Sequence, residues 1–166
     1  MKQIKAGFEN TPTTSAAEQL RVYGPTILVD VGFDPNFDST NCTGRPAAGA
    51  QGVRALIDTG ASHVSIDQEL AQKLSLPVVE REMIFGISGL IEVDVHIVQI
   101  FVPTLNGTFV TRCFSVAVSQ AFAVDSTIDG ESITHQLILG RDFLASFLLS
   151  YDGRSGAASL FHRVQA

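Results

Sequence analysis

Ala55-Leu56-Ile57-Asp58-Thr59-Gly60-Ala61-Ser62 carries an extended apolar run straight into an ionisable side chain, a hydroxyl residue and a glycine. Asp and Gly both favour chain reversals, so the carboxyl of Asp58 is left at the end of a strand. Alone, the triplet suits an ordinary strand-terminating turn as well as a chemical site. Upstream, Thr26–Phe33 is β-branched and mostly apolar and reads as a strand. Residues Asp34–Gly52, rich in Gly, Pro, Asn and Asp, read as a long surface loop before Val53–Ile57 resumes extended structure. Downstream, Ser65 followed by Gln68 has the form of a capping box. Ile66, Leu70, Ala71 and Leu74 then recur near helical spacing until Pro77.

Period two returns over Met83–Phe85 and Leu90–Val102, with Gly86-Ile87-Ser88-Gly89 between them as a hairpin tip. Asn106-Gly107 marks another turn, continued by Phe109–Val118; Asp125–His135 is a polar interruption. Leu137-Ile138-Leu139 is a short apolar strand that turns at Gly140 into one or two helical turns over Asp142–Phe147. A closing hairpin spans Leu148–Phe161 across Asp152-Gly153. The expectation is a mostly β domain with two short helices over residues 21–166, preceded by a polar, flexible segment at residues 1–20.

Composition narrows the function classes. The 166 residues hold 11 Lys+Arg against 17 Asp+Glu, a net charge of −6, and are 45% hydrophobic but only 17% charged. Such a chain can bury enough apolar surface to order itself as one domain. An acidic chain whose lysines are Lys2, Lys5 and Lys73 lacks the basic face that nucleic acid requires. The most apolar stretches, Phe114–Val124 and Phe143–Leu149, fall short of the roughly 20 residues of a membrane span. Met1–Glu18 has no apolar core of a secretory signal, so a cytoplasmic location is expected. Cys42 and Cys113 read as free thiols. Neither they nor His63, His96, His135 and His162 show metal-ligand spacing, so no metal and no cofactor are expected.

Two further segments bear on Asp58. The paired glycines of Met83–Val93 let a backbone approach a ligand closely, and an apolar Ile87 at a polar tip calls for a cover, although an ordinary surface hairpin has the same pattern. Leu137–Asp142 by itself reads as a β-to-α corner packed in the core.

Together, in this order, the three segments resemble the retropepsin-like aspartic proteases, the retroviral-type family with bacterial and cellular branches. Asp58-Thr59-Gly60-Ala61 is similar to the family's catalytic loop, Met83–Val93 to its glycine-rich flap, and Leu137–Asp142 to the segment that crosses behind the loop. The resemblance covers Thr26 to Phe161. It implies a closed β-barrel, half of the acid-protease fold, with one catalytic loop per chain. It makes Asp58, Thr59 and Gly60 catalytic, Ala61, Gly86, Ile87, Ser88 and Gly89 substrate-binding, and Gly140 and Arg141 structural supports. Ser62 departs from the acidic residue usual in retroviral members. Arg141, whose match there pairs with that acid, therefore needs another partner. Phe85, where a glycine is common, is expected to narrow the site or stiffen the flap.

Metal-free peptide hydrolysis needs a base to activate water and an acid to protonate the leaving amine. Two carboxyls sharing one proton supply both, as in the aspartic proteases that illustrate the principle. Asp-Thr-Gly occurs once in this chain, whereas a pepsin-like single chain needs two copies and about twice the length. The resemblance therefore implies a homodimer acting on protein or peptide substrates, with activity favoured on the acidic side of neutrality. The competing expectation is a catalytically inactive module of the same fold that dimerises or binds peptides. A serine hydrolase is disfavoured, because Gly86-Ile87-Ser88-Gly89-Leu90 is out of register with the G-x-S-x-G elbow. Residues 1–20 are expected to be open to removal by self-cleavage.

Overall fold

In a computed structural model, residues 1–38, 40, 44–46, 49–86, 89–118 and 133–162 are described. In chain order the elements are β1 (Lys2–Lys5), α1 (Ala16–Tyr23), β2 (Thr26–Gly32), β3 (Gly49–Ile57), β4 (Ser65–Asp67) and α2 (Gln68–Lys73). There follow β5 (Val78–Gly86), β6 (Gly89–Val102), β7 (Gly107–Val116), β8 (Leu137–Leu139), α3 (Arg141–Leu144), β9 (Phe147–Asp152) and β10 (Ala157–His162). The larger sheet runs β2-β3-β8-β4-β7-β6-β5, and β2 also pairs with β6. That second pairing closes a barrel of six strands and leaves β5 outside it as the hairpin partner of β6. The smaller sheet runs β1-β10-β9.

Alternation explains how the barrel fills. Val29 and Val31 from β2, Ile57 from β3, Ile66 from β4, Val98 and Ile100 from β6, and Leu137 and Leu139 from β8 share one core. Val93 and Val95, of opposite parity on β6, pack instead with Phe114 in a smaller cluster. One long strand thus presents one face to the barrel and the other to the hairpin side. Arg45 Nε, 2.5 Å from the buried Asp30 carboxylate, pins the end of the long loop to β2.

Three local expectations give way. Ser65 is a residue of β4, not a helix cap: it pairs with Phe114 on one side and Ile138 on the other, and α2 starts only at Gln68. Two neighbouring ladders outweigh one local cap bond. The long loop ends at Gly49, because β3 continues down to pair Gly49 with Gly32. Within residues 1–20, expected to be flexible, Lys2–Lys5 pair with Ser159–His162 of β10, and Ile4 and Ala6 are buried. Ser15 Oγ accepts the Glu18 N–H at 3.1 Å and caps α1, whose Ala16, Gln19, Leu20 and Tyr23 form its buried side. Three helices, rather than two, are present among the described residues. Cys113 is a buried free thiol, pushed well above its usual pKa by desolvation. Cys42, residues 119–124 of the apolar stretch and residues 125–132 of the polar interruption lie outside the described residues. Among the described residues no helix is long and apolar enough to cross a membrane.

Candidate active site

The site is built from the two strands that flank β8. β3 pairs with β8 in parallel, Ile57 opposite Leu139, and β4 pairs with its other edge, Ile66 opposite Leu137. The loop 58–64 joins β3 to β4 across the end of β8. Its start is held by the Asp58 N–H donating to the Leu139 carbonyl at 3.1 Å. The Gly60 N–H donates to Asp58 Oδ1 at 2.7 Å, which fixes the carboxyl against its own turn. Asp58 is half-buried, and Thr59 and Gly60 are exposed.

The chain after β8 grips this loop from behind. The N–H groups of Arg141 and Asp142 donate to the carbonyls of Ala61 and Ser62 at 3.0 and 3.2 Å. Gly140 is required by the closeness of the crossing: a Cβ there would sit 2.4 Å from the His63 carbonyl oxygen. Arg141 finds its partners within the loop. Nη1 donates to the carbonyls of Thr59 and Gly60 at 2.8 and 3.0 Å, and Nη2 to Ser62 Oγ at 2.8 Å. Where an acid would make an ion pair, a hydroxyl and two carbonyls take the guanidinium fork.

Asp142, which the sequence marks only as the end of the crossing segment, closes the far end of the loop. Its Oδ2 accepts the Val64 N–H at 3.0 Å while Oδ1 accepts the Phe143 N–H at 2.7 Å. The signal available in the sequence was its position after Gly140-Arg141, where a short acceptor reaches backbone donors. His63 also escaped that reading. Its ring lies on Phe114, centroids 4.8 Å apart, with Nδ1 3.7 Å from Asp142 Oδ2.

The flap hairpin is a separate arm. β5 and β6 pair from Arg81 opposite Asp94 to Gly86 opposite Gly89. Gly89 has φ +104° and closes the tip; Ile87 and Ser88 lie outside the described residues. On one face Ile84 joins Val93, Val95 and Phe114. On the other, Met83, Phe85 and Leu90 are exposed. Phe85 is 88% exposed, so its bulk narrows nothing within this chain. Arg112 ties the hairpin root, reaching Glu80 at 2.8 Å and Glu82 at 2.5 Å.

Asp58, Thr59, Gly60, Ala61, Gly140 and Arg141 thus meet in one hydrogen-bonded unit, whereas Gly86 and Gly89 belong to the hairpin. Among the described residues no three His, Cys, Asp or Glu side chains gather as a metal cluster would.

Comparison with known proteins bears on the same segments. EIAV protease complexed with the inhibitor HBY-793 is similar with a TM-score of 0.43 and 18% identity, over 73% of this chain and 85% of that one. A retropepsin-like aspartic protease from Rickettsia conorii gives a TM-score of 0.47 and 12% identity, over 95% of this chain and 89% of that one. No curated protein sequence matches. The sequence pattern of a family described as aspartyl protease matches residues 47–143, more than half of the chain. Because that span starts before β3, takes in the loop and the flap hairpin and ends inside α3, the chain belongs to the aspartyl protease family of peptidases.

Proposed function

We propose that the chain is an aspartic endopeptidase whose acid–base pair consists of Asp58 and the same residue of a second copy. The observation that carries this reading is a single Asp-Thr-Gly whose Asp58 is a half-buried residue on a loop braced by Arg141 from behind. One carboxyl cannot serve as base for the attacking water and as acid for the departing amine in the same step. Two carboxyls a few Å apart share one proton, so the ionised member takes the proton of water and the protonated member gives its own to the nitrogen.

In this reading a two-fold axis runs between the two loops, and the exposed Thr59 bonds across it to hold them together. Gly60 and Ala61 lie where a peptide backbone passes closely, and Gly86, Ile87, Ser88 and Gly89 close over an extended substrate that adds a strand to the hairpin. Gly140 and Arg141 act as positioning residues, since their contacts are with the loop backbone rather than with the reacting groups. Asp58→Asn tests it. The variant keeps size and hydrogen-bonding capacity but cannot share a proton, so peptide cleavage falls at least about a hundredfold while the mass in solution stays that of a dimer. Equal cleavage by both proteins excludes the mechanism.

A further inference from the structure

The root of the hairpin is charged where its upper half is apolar. β5 is the outermost strand of the larger sheet, and among the described residues it is bonded to β6 along one side only. Glu80 and Glu82 stand on one face of it. Arg112 of β7 reaches across β6 to both, at 2.8 and 2.5 Å. Such an ion pair draws the edge strand down onto the sheet, yet it sets one cation against two carboxylates. Arg81 and Asp94 pair with each other on the opposite face of the hairpin.

His63 comes to that root from the Asp58 loop. The chain around it is fixed, because the Val64 carbonyl accepts the Phe114 N–H at 3.0 Å where β4 starts alongside β7. The imidazole lies on the Phe114 ring, and Phe114 packs in turn with Ile84, Val93 and Val95 of the hairpin. Its side chain is 57% exposed, so a proton reaches it from solvent. Nδ1 is 3.7 Å from Asp142 Oδ2, the oxygen that accepts the Val64 N–H. Glu82 is within its electrostatic reach as well. That carboxyl is held below its usual range first by the Glu80 side chain bonded to it, next by Arg112, and also by the charge of His63.

The charges around the imidazole come from several elements. α3 gives Asp142 and Arg141, but the Arg141 guanidinium is taken up by Thr59, Gly60 and Ser62. β5 gives Glu80 and Glu82, and β7 gives Arg112. Cys113, beside Phe114 on β7, is buried and stays a neutral thiol. On the loop itself, Asp58 accepts the Gly60 N–H. A protonated ring between Asp142 and Glu82 attracts both carboxylates, whereas a neutral ring attracts neither.

We infer that His63 is a positioning residue whose protonated ring fastens the root of the hairpin to the loop that carries Asp58. In the charged state it draws Asp142 on α3 and Glu82 on β5 toward one centre, so the hairpin is seated against the loop before a peptide arrives. When the proton leaves, the carboxylates of Glu80, Glu82 and Asp142 are left with Arg112, and β5 loosens at its root. His63 acts through the hairpin rather than on the reacting groups, so its effect on cleavage is on KM and not on kcat. That effect on KM rests on the reading of Asp58 and the hairpin above, whereas the fastening is measured without substrate.

Amide hydrogen exchange on the full chain makes that measurement. His63→Phe keeps a ring on Phe114 but removes the charge, and comparing the two proteins at the same pH cancels intrinsic exchange rates. At about pH 5, amides of residues 80–84 are expected to exchange about threefold faster in the variant, and at about pH 8 the two proteins agree. In a Glu82→Gln background the effect of His63→Phe at the lower pH shrinks by at least about half. Peptide cleavage adds a second reading: KM of the full chain rises about threefold between those pH values while that of His63→Phe stays level, with similar kcat. Exchange that is equal at both pH values overturns the inference. So does exchange that is faster by the same factor at both, which marks a merely structural role, or an effect undiminished in the Glu82→Gln background. Equal cleavage by Asp58→Asn, by contrast, overturns the reading of Asp58 and leaves the exchange result to decide the fastening.

Discussion

A methyl group on Gly140 would lie 2.4 Å from the carbonyl oxygen and 2.6 Å from the carbonyl carbon of His63, both backbone atoms that cannot turn aside. Relief requires the loop behind Asp58 to shift, so Gly140→Ala is expected to destabilise the fold by about 2–3 kcal/mol and to lower cleavage further, a difference read from urea midpoints and steady-state rates. Ser62→Ala is the milder counterpart. It removes one of three acceptors from the Arg141 fork but leaves the carbonyls of Thr59 and Gly60, and the exposed hydroxyl contributes at most about 1 kcal/mol. If the two variants prove equally stable, the close crossing at Gly140 does not have the importance given to it. These residues also show what a sequence can carry. Asp58 was legible because an apolar strand ran into a turn triplet, and Gly140 because an apolar strand stopped there. The partners of Arg141 were not, since two of the three are carbonyls that every residue possesses. Only the folded crossing selects Thr59 and Gly60 from among them.

At the scale of elements, the seam between β2 and the segment leading into β8 has a titratable lock. His135 is buried at 1% exposure, and its Nε2 lies 2.7 Å from Thr26 Oγ1 at the start of β2. Desolvation first, then the positive charge of Arg54, push its pKa down from 6.5 to about 4. The folded chain therefore holds His135 neutral where the unfolded chain already binds a proton. Stability is complete above pH 6.5 and is lost as pH falls from there through about 4, by about 3 kcal/mol in total. Replacing the imidazole with an amide, His135→Gln, should flatten this part of the curve, which urea midpoints measured between those pH values would show; an unchanged slope means that other groups set it. Element by element, long alternation was read correctly in β2, β6 and β7. The misreading at Ser65 has a physical origin: three residues are too few to show a period, and a cap-like spacing was nearer at hand than strand partners far along the chain.

For the whole molecule the decisive surprise is the amino terminus. Four residues, three of them lysine or glutamine facing water, carry no strand signal, yet Ile4 sits opposite Leu160 and the Ala6 N–H donates to the Ala158 carbonyl at 2.8 Å. The Thr26 N–H donates to Ala6 in turn, so this segment bridges the small sheet and the barrel. Self-removal of residues 1–20 would have to extract β1 and α1 from that packing before a cleft could take them. Active preparations are accordingly expected to keep an intact amino terminus by mass spectrometry. Deleting residues 1–7 should lower stability by about 2–4 kcal/mol, from the lost burial of Ile4 and Ala6 together with the ladder bonds. The deletion also strips the lysine-bearing strand from β10 and leaves that edge of β10 unpaired. An unpaired strand edge recruits further strands, so light scattering of the shortened chain should show larger assemblies than the full chain at the same concentration. A shortened chain that is as stable as the full one and no larger in solution would mean that β1 is ornament, and that something other than strand edges limits assembly.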